Sequence, residues 1–517
     1  MPQGRFYAFE HGFSGLLLTV TALRSRVRGT QTFEPTPQTR EADGSLQRSF
    51  PRDHDGPDER WPRDGSGAEP TQVTRPYPTL RTLSSLALGN LRALVILIVV
   101  AFHSALAYLG SLSVSAYPFD DPPYKWRAFP VIDSHRWFGF DVFCAWQDVY
   151  LMSLMFFLSA LFTWPSLARK GNRTFLADRF MRLGLPFIFA VTVVVPIAEY
   201  PAYHMTAADP GVMAYGRHLL ALPFWPNGPM WFLWQLLALT ILAAGLHRFA
   251  PHWVEFLARA SASARDRPAQ YFAGLVIVSA LAYVPLALVF TPWNWSASGP
   301  FSLQFSRPLL YTVFYIAGLG VGAFGLERGL LAPDGALARR WSIWLAGALA
   351  SFVFWMGLTA LEMRASATAP LGLRIVADGS FVLACVSGCF FVMAGCLRFG
   401  TMRSPILESL GNSAFGIYLL HYPFVVWLQY ALLGVAWAAL AKGATVFAAA
   451  LLFAWATTAI MRRVPLGAAL IGEQGRVKTG RATTGWATRS MARRDVAPGS
   501  HHAADRPGFP PPKPARQ

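Results

Sequence analysis

The sequence predicts an all-α protein that crosses a membrane many times, and three observations point to this class. Of its 517 residues, 53% are hydrophobic and only 14% are charged, whereas an ordinary soluble domain has about 25% charged residues. The apolar residues are grouped in blocks near the roughly 20 residues that a membrane helix needs. Loops rich and poor in Lys and Arg alternate along the chain, as expected when positive charge is retained on the cytoplasmic side.

About ten segments are long and apolar enough to be transmembrane helices. They run approximately from 91 to 111, 148 to 165, 183 to 201, 229 to 246, 271 to 291, 308 to 326, 341 to 361, 375 to 397, 413 to 433 and 443 to 461.

The basic residues set the predicted orientation. The loop after the second span is the richest, and every second loop after it is richer than its neighbours; the basic residues of that first rich loop are Arg169, Lys170, Arg173, Arg179 and Arg182. Positive charge in short loops marks the cytoplasmic side. With an even number of spans, both termini are therefore predicted to face the cytoplasm.

The chain divides into three predicted regions. Residues 1–84 are rich in Pro, Arg, Asp, Gly and Ser without apolar periodicity, which predicts a disordered extension, or a start codon placed too far upstream. Residues 85–465 form the membrane domain. Residues 466–517 are basic and Pro-rich, which predicts a disordered cytoplasmic tail that contacts anionic lipid.

The net charge of +17 would suggest nucleic acid if it covered one face. Here it lies largely in tails and short loops, so we expect the bilayer and no nucleic acid as partner. The four cysteines, Cys144, Cys385, Cys389 and Cys396, do not have the spacing of a metal site, and we interpret them as small packing residues.

The first span contains the most informative pair, Arg92 and His103. Eleven helical steps make close to three turns and roughly 16 Å, so the two side chains project from one face, with Arg at the rim and His deep in the membrane. An ionisable residue at that depth suggests function. A neutral imidazole suits a general base, and the alternative is a structural hydrogen bond between helices.

Two further groups are candidates. Arg179 and Arg182 precede the third span; arginines three apart lie on one side of a helical turn and could bind a phosphorylated ligand, or could simply anchor the helix at the membrane surface. Ser413, Tyr418 and His421 enter the ninth span, where packing and interhelical bonding are the alternative to binding. Trp231 heads the fourth span, and its main interpretation is an interfacial aromatic.

The first predicted outer loop is polar and aromatic. Acidic and aromatic side chains suit the hydroxyl groups and rings of sugars, and an ordinary solvated loop is the alternative. The side chains concerned are Asp133, His135, Trp137, Asp141, Trp146 and Asp148.

Several of these motifs, taken in order, resemble those of the membrane acyltransferase 3 family. Arg92 and His103 resemble its Arg-x10-His signature, and residues 156–160 resemble its Phe-Phe-x-Ser-Gly stretch with Ala160 in place of Gly. The remaining matches are its Arg-x-x-Arg pair at Arg179 and Arg182, its Trp-Phe-Leu at 231–233 and its Ser-x4-Tyr-Leu-x-His at 413–421. The resemblance covers roughly residues 85 to 465.

The resemblance implies a function. Members of the family transfer an acyl group, such as acetyl or succinyl, from cytoplasmic acyl-CoA to a hydroxyl of a surface or periplasmic glycan, in the bacterial inner membrane and without a bound cofactor. His103 with Arg92 would then be catalytic, Arg179 and Arg182 would bind acyl-CoA, and Ser413, Tyr418, His421, Trp231 and Asp148 would contact substrate. The long first loop and Asp148 look most like the glucan biosynthesis protein C branch, which succinylates periplasmic glucans.

One expected feature is missing from the sequence pattern. No acidic residue in the late helices stands out as a partner for His103, because Glu362 and Asp378 fall near predicted membrane edges.

The alternative function is a transporter or flippase for a glycan or lipid-linked intermediate, which would often show two repeated halves; no repeat is evident. A non-catalytic membrane scaffold is a third interpretation.

Overall fold

A computed structural model describes residues 80–113, 115–365 and 368–473 as a helical bundle with one small β-hairpin. This confirms the all-α polytopic class. Residues 1–79 and 474–517, which hold most of the two segments predicted to be disordered, lie outside the described residues. The start of the predicted tail needs correction, because Pro465–Leu470 is a short helix.

The helices are numbered in chain order. They are α1 (Leu80–Ala105), α2 (Phe138–Ala160), α3 (Thr163–Lys170), α4 (Asn172–Arg179), α5 (Leu185–Phe189), α6 (Val195–His204), α7 (Val212–Ala221), α8 (Trp231–Phe249), α9 (Pro251–Ser263), α10 (Pro268–Phe290), α11 (Pro308–Phe324), α12 (Ala336–Arg339), α13 (Trp341–Ala365), α14 (Leu371–Phe399), α15 (Pro405–Ala431), α16 (Ala439–Met461) and α17 (Pro465–Leu470).

Short helical turns and one β-hairpin connect the helices. The 3₁₀ turns are Leu106–Tyr108, Lys125–Arg127 and Gly228–Met230, and the π-helical turns are Phe180–Gly184 and Ala190–Val194. The two strands, β1 (Trp295–Ser298) and β2 (Phe301–Gln304), pair antiparallel with Trp295 opposite Gln304.

All ten predicted spans are helical. Eight helical runs of 22 to 33 residues are apolar enough to cross a membrane. The sixth predicted span is α11, a shorter apolar helix. The ninth is α15, which is 27 residues long but carries polar groups such as His421 and Gln429 along its length, so its composition is less clearly that of a membrane helix.

Helix α15 holds a central position in the bundle. It packs against α1, α6 and α16, and α1 also packs against α16. On the other side, α2 packs against α11 and α14. Glycines allow the close approach of α2 and α11, since a Cβ added at Gly318 would clash with Phe157 O and one at Gly322 with Leu161 O. Small residues at contacts of this kind are typical of membrane helix pairs.

The segment between α1 and α2 is folded against the bundle, unlike the solvated loop that the sequence left open as an alternative. Trp126 is fully buried and stacks on Phe119 with ring centroids 4.3 Å apart. Asp133 and Lys442 of α16 form an ion pair at 2.6 Å in which both side chains are fully buried. We call the end of the bundle that carries this segment the loop end.

The opposite end of the bundle, which we call the arginine end, carries Arg92, Arg179 and Arg182. The backbones at this end pack closely at two glycines. A Cβ on Gly411 of α15 would lie 2.9 Å from Gly89 O of α1, and one on Gly472 would lie 2.8 Å from Arg182 O. The two ends therefore present different chemistry, one basic and one aromatic and polar.

Candidate active site

His103 and His421, 318 positions apart in the chain, form a hydrogen-bonded pair inside the bundle. Nε2 of His421 lies 3.3 Å from Nδ1 of His103, and the ring centroids are 4.9 Å apart. The packing of α1 against α15 brings them together. Gln429 of α15 strengthens this contact, because its Nε2 donates to the carbonyl oxygens of His103 and Ser104.

Backbone contacts assign the protons of the two rings when both are neutral. His103 Nδ1 lies 2.8 Å from Val99 O, and His421 Nδ1 lies 2.7 Å from Tyr418 O. Because a carbonyl oxygen only accepts, each Nδ1 carries a proton and each Nε2 a lone pair. The single proton on His103 Nδ1 is therefore shared between two acceptors, Val99 O and His421 Nε2. Nε2 of His103 is left as the nitrogen that can take a proton.

A buried carboxyl group adjoins the pair and was missed by the sequence analysis. Glu199 of α6 is fully buried, and Tyr422 donates to its Oε1 at 2.9 Å. The Tyr422 ring in turn lies edge-on to His103, with centroids 6.0 Å apart. The only signal in the sequence was a single acidic residue near the end of the third span, Ile197-Ala198-Glu199-Tyr200, which an aromatic-rich boundary made easy to overlook.

A guanidinium group from the first loop lies near the same carboxyl. Burial lowers the pKa of Arg127, and the Glu199 carboxyl raises it. Arg127 also stacks over the ring of Phe224 at 4.1 Å and donates to Ser302 Oγ of the hairpin at 2.9 Å. The loop end thus places the Arg127 guanidinium near Glu199, while that guanidinium contacts Ser302 and Phe224.

The head of the fourth span forms one wall of the site. Tyr418 donates from its hydroxyl to Pro229 O at 2.5 Å. The neighbouring Gly228 has φ +45°, and a Cβ there would lie 2.8 Å from the Tyr422 ring, so this position requires glycine both for its backbone conformation and for space. Trp231 does not contact the histidines in this structure; it stacks on Tyr311 with ring centroids 6.0 Å apart.

Three of the sequence motifs meet at the ring of Phe232, which contacts aromatic rings on both sides. The ring of Phe232, from the Trp-Phe-Leu motif, lies 4.7 Å from Phe156 of the Phe-Phe-x-Ser stretch. It lies 6.0 Å from Tyr418 on the other side. The motifs therefore share one packed core next to the His103–His421 pair.

At the arginine end, Arg92 and Arg179 approach the same turn, which follows the Phe-Phe-x-Ser stretch. The Arg92 guanidinium lies 4.6 Å from the ring centroid of Phe162. Arg179 Nη2 lies 3.4 Å from Thr163 Oγ1, which also accepts from Tyr315. Two arginines from different helices thus converge on consecutive residues, an arrangement that could bind an anionic ligand.

Arg182 is placed differently from Arg179. Arg179 is half-buried, whereas Arg182 is exposed. The reason lies in the backbone, because Phe180–Gly184 is a π-helical turn and its wider i→i+5 geometry changes the angle between residues three apart. The two guanidinium groups still act on each other electrostatically at the arginine end, so a site formed by both arginines stays a prediction.

Ser413 lies at the arginine end, away from the histidines. Its hydroxyl accepts from Arg462 Nη1 at 2.8 Å, and Arg462 also forms an ion pair with Glu473. Ser413 is two helical turns from His421 along α15. The Ser-x4-Tyr-Leu-x-His motif therefore runs from the arginine end to the His103–His421 pair and does not form one cluster of side chains.

The acidic residues of the first loop and second span have structural partners. Arg307 donates to both carboxylate oxygens of Asp148, at 2.9 and 2.5 Å. Asp141 accepts from the backbone N–H groups of Gly110 and Ser111. Asp133 binds Lys442 and accepts from the backbone N–H of His135. In this structure these carboxylates bind protein groups and hold the loop end together.

Residues suited to metal binding are scattered over the described part of the chain, where no group of three or more His, Cys, Asp or Glu side chains could hold a metal ion. All four cysteines are free thiols, and three are buried. Cys385 donates to Ser153 Oγ at 3.3 Å, and Cys389 approaches Tyr150 O. These contacts belong to the packing of α14 against α2.

Comparison with models of known protein families gives one match. Residues 86–459 match a model whose description is "acyltransferase domain", a range that contains every helix from most of α1 to most of α16. No curated protein and no solved structure matches the chain.

Proposed function

The chain belongs to the acyltransferase 3 family, and we propose that it transfers an acyl group of the acetyl or succinyl class from cytoplasmic acyl-CoA to a hydroxyl group of an extracytoplasmic glycan. One observation carries this proposal. The His103–His421 pair lies inside the bundle, roughly 16 Å along α1 from Arg92, so a base is placed between a basic end suited to the donor and a folded polar end suited to the acceptor.

The His103 side chain supplies what the reaction needs. A sugar hydroxyl is a weak nucleophile until its proton is accepted, and Nε2 of His103 carries the free lone pair. The hydroxyl oxygen attacks the thioester carbonyl carbon, the C–S bond breaks, and the proton passes to Nε2 and then to the departing thiolate. General base catalysis of this kind contributes on the order of a hundred-fold or more.

His421 supports the base through its own lone pair. As His103 gains a proton at Nε2, its Nδ1–H becomes more acidic, and His421 Nε2 at 3.3 Å accepts the stronger hydrogen bond. Charge-assisted hydrogen bonds are roughly twice as strong as neutral ones. The interaction is therefore stronger when His103 is charged than in the resting state, which is the condition for a contribution to rate.

The arginine end is the proposed donor site. Arg92 and Arg179 converge on Phe162 and Thr163, and Arg182 is exposed beside them. The phosphates of coenzyme A would bind these guanidinium groups, with the pantetheine arm carrying the thioester toward His103. The alternation of basic loops assigns this end to the cytoplasm, where acyl-CoA is made.

The loop end is the proposed acceptor side. In a bacterial inner membrane it would face the periplasm. The ordered segment between α1 and α2 and the hairpin around Ser302 meet there through Arg127. Among acceptors, we propose a periplasmic or surface glycan, with the succinylated glucans of the glucan biosynthesis protein C branch as the specific case that the first loop resembles.

The function is tested by mass spectrometry of periplasmic and surface glycans from a strain that lacks this protein, complemented with variants. A missing ester would identify both the acyl group and the acceptor. We expect His103→Ala to restore no ester and the neighbouring Ser104→Ala, which removes a hydroxyl that donates to Val100 O within the same helix, to restore it. Unchanged esters in the deletion strain, with a changed amount or location of glycan, would indicate a transporter instead. An inserted His103→Ala protein that still acylates at near wild-type rate would contradict the role of the base.

A further inference from the structure

Glu199 is a carboxyl group in an unusual environment. It lies in the membrane-spanning run Asn172–His204 and is fully buried. An ionisable group at such a position is costly and needs polar partners or a function. Tyr422 satisfies Oε1, but Oε2 is buried without a hydrogen-bond partner among the described residues. One oxygen is therefore held in place while the other is left to accept a hydrogen bond.

The carboxyl group is linked to the proposed base through Tyr422. Helix α15 packs between α1 and α6, and its consecutive residues His421 and Tyr422 contact His103 and Glu199 respectively. The Tyr422 side chain contacts both groups, because its hydroxyl donates to Glu199 Oε1 and its ring lies edge-on to His103, with centroids 6.0 Å apart. A ligand that reaches Nε2 of His103 from the loop end would come close to Glu199.

The chemistry of a carboxylate restricts the ligand. In its ionised form the group accepts hydrogen bonds and repels anions, so in that form Oε2 suits a hydroxyl donor and not a phosphate or a thioester carbonyl. Among the described residues Arg127 does not donate to this oxygen; its guanidinium donates to Ser302 Oγ and stacks on Phe224. A sugar ring has several neighbouring hydroxyl groups, so one can bind Glu199 while another reacts.

We propose that Glu199 is an acceptor-binding residue: Tyr422 anchors its Oε1, and its Oε2 accepts a hydrogen bond from one sugar hydroxyl while the adjacent hydroxyl faces His103. This inference rests on the proposed function and adds the residue that orients the acceptor. It makes Glu199 part of substrate recognition and gives the side chain no role in donor binding.

The test separates acceptor binding from donor binding in the full-length protein, purified in nanodiscs. The acceptor probe is the glycan fraction from the deletion strain, freed of esters by mild alkali, and the donor probes are radiolabelled acetyl-CoA and succinyl-CoA. Initial rates are measured for wild type, Glu199→Gln, Tyr422→Phe and His103→Ala. Glutamine keeps the volume and can still accept from Tyr422, so folding is preserved. The matched control is Glu362→Gln, which changes another membrane carboxyl, paired with Arg374.

We expect Glu199→Gln to raise the glycan KM at least tenfold and to leave the donor KM and thermal stability unchanged. Tyr422→Phe should raise the glycan KM by less, because the carboxylate remains but loses its anchor. Glu362→Gln should match wild type. The inference is overturned if Glu199→Gln has a glycan KM within twofold of wild type, or if both of its KM values rise equally. In either case the proposed function still stands if wild type is active and His103→Ala is not. No transfer by wild type to this glycan would overturn both.

Discussion

Nε2 of His421 lies 3.3 Å from Nδ1 of His103, within hydrogen-bonding distance, across the contact between α15 and α1. Both rings are oriented by backbone carbonyls of their own helices, Tyr418 O and Val99 O. The pair is therefore positioned before any substrate binds. Such preorganisation is what an effective general base requires, and it gives the first prediction.

Replacing His421 should slow the chemical step with little effect on substrate binding. We expect His421→Ala to lower kcat about tenfold or more, because the lone pair that accepts from the charged His103 is lost. Both KM values should stay within about twofold of wild type. His421→Gln, which offers an amide oxygen as acceptor, should retain more activity than alanine. Equal kcat values for wild type and His421→Ala would mean that the pair is structural.

The arginine end should control the donor alone. We expect Arg179→Ala to raise the apparent donor KM about tenfold, equivalent to about 1.4 kcal/mol, without a change in glycan KM. Arg173→Ala is the control, since this exposed arginine lies on the same helix, α4. Steady-state kinetics with varied acyl-CoA provide the measurement. If the two variants show the same donor dependence, Arg179 serves only to anchor the helix.

The Lys442–Asp133 ion pair should be important for stability. Removing one partner of a buried pair leaves an uncompensated charge and typically costs about 3–5 kcal/mol. We therefore expect Lys442→Met to lower the Tm strongly and Lys442→Met with Asp133→Leu to recover part of the loss. Lys170→Ala, which breaks the partly exposed pair with Asp178, should change Tm little. Thermal unfolding in nanodiscs followed by tryptophan fluorescence measures all three; a small effect of Lys442→Met would contradict the buried pair.

Gly228 should be intolerant of a side chain. Its φ of +45° and the Tyr422 ring 2.8 Å from a Cβ mean that Gly228→Ala must shift Tyr422, which holds Glu199. We expect at least a tenfold loss of kcat/KM for the glycan. Gly245→Ala, where a Cβ meets nothing within 4 Å, should behave as wild type in the same assay. Similar activities for the two variants would show that Tyr422 can move without consequence.

The helices themselves could be predicted from local patterns. Each of the ten apolar blocks is a helix in the structure, because in a bilayer a spanning segment must satisfy its own backbone hydrogen bonds. Some boundaries differ. α2 begins at Phe138, about ten residues before the predicted span, and its first turn is held against the folded loop by Asp141, which accepts from the backbone N–H groups of Gly110 and Ser111. The π-helical turn at Phe180–Gly184 could not be predicted, because it depends on contacts made by the flanking helices.

The site was only partly predictable. His103, His421 and Tyr418 were singled out as polar groups in apolar helices, and the structure places them together. Ser413, Asp148 and Trp231 were singled out by the same reasoning, yet here they contact Arg462, Arg307 and Tyr311. Sequence spacing gives the face of a helix on which a residue lies, but not which helix covers that face.

The sequence by itself determined the membrane class, the positions of the helices and the family motifs, because hydropathy and short-range spacing are properties of neighbouring residues. Only the tertiary structure decided that His103 is paired with His421, that Glu199 adjoins them through Tyr422, and that the first loop is held by Asp133 and Lys442. These contacts join residues more than 200 positions apart. The first two arise from the way α15 packs against α1 and α6, and the third from the contact of α16 with the first loop; no local pattern encodes that packing.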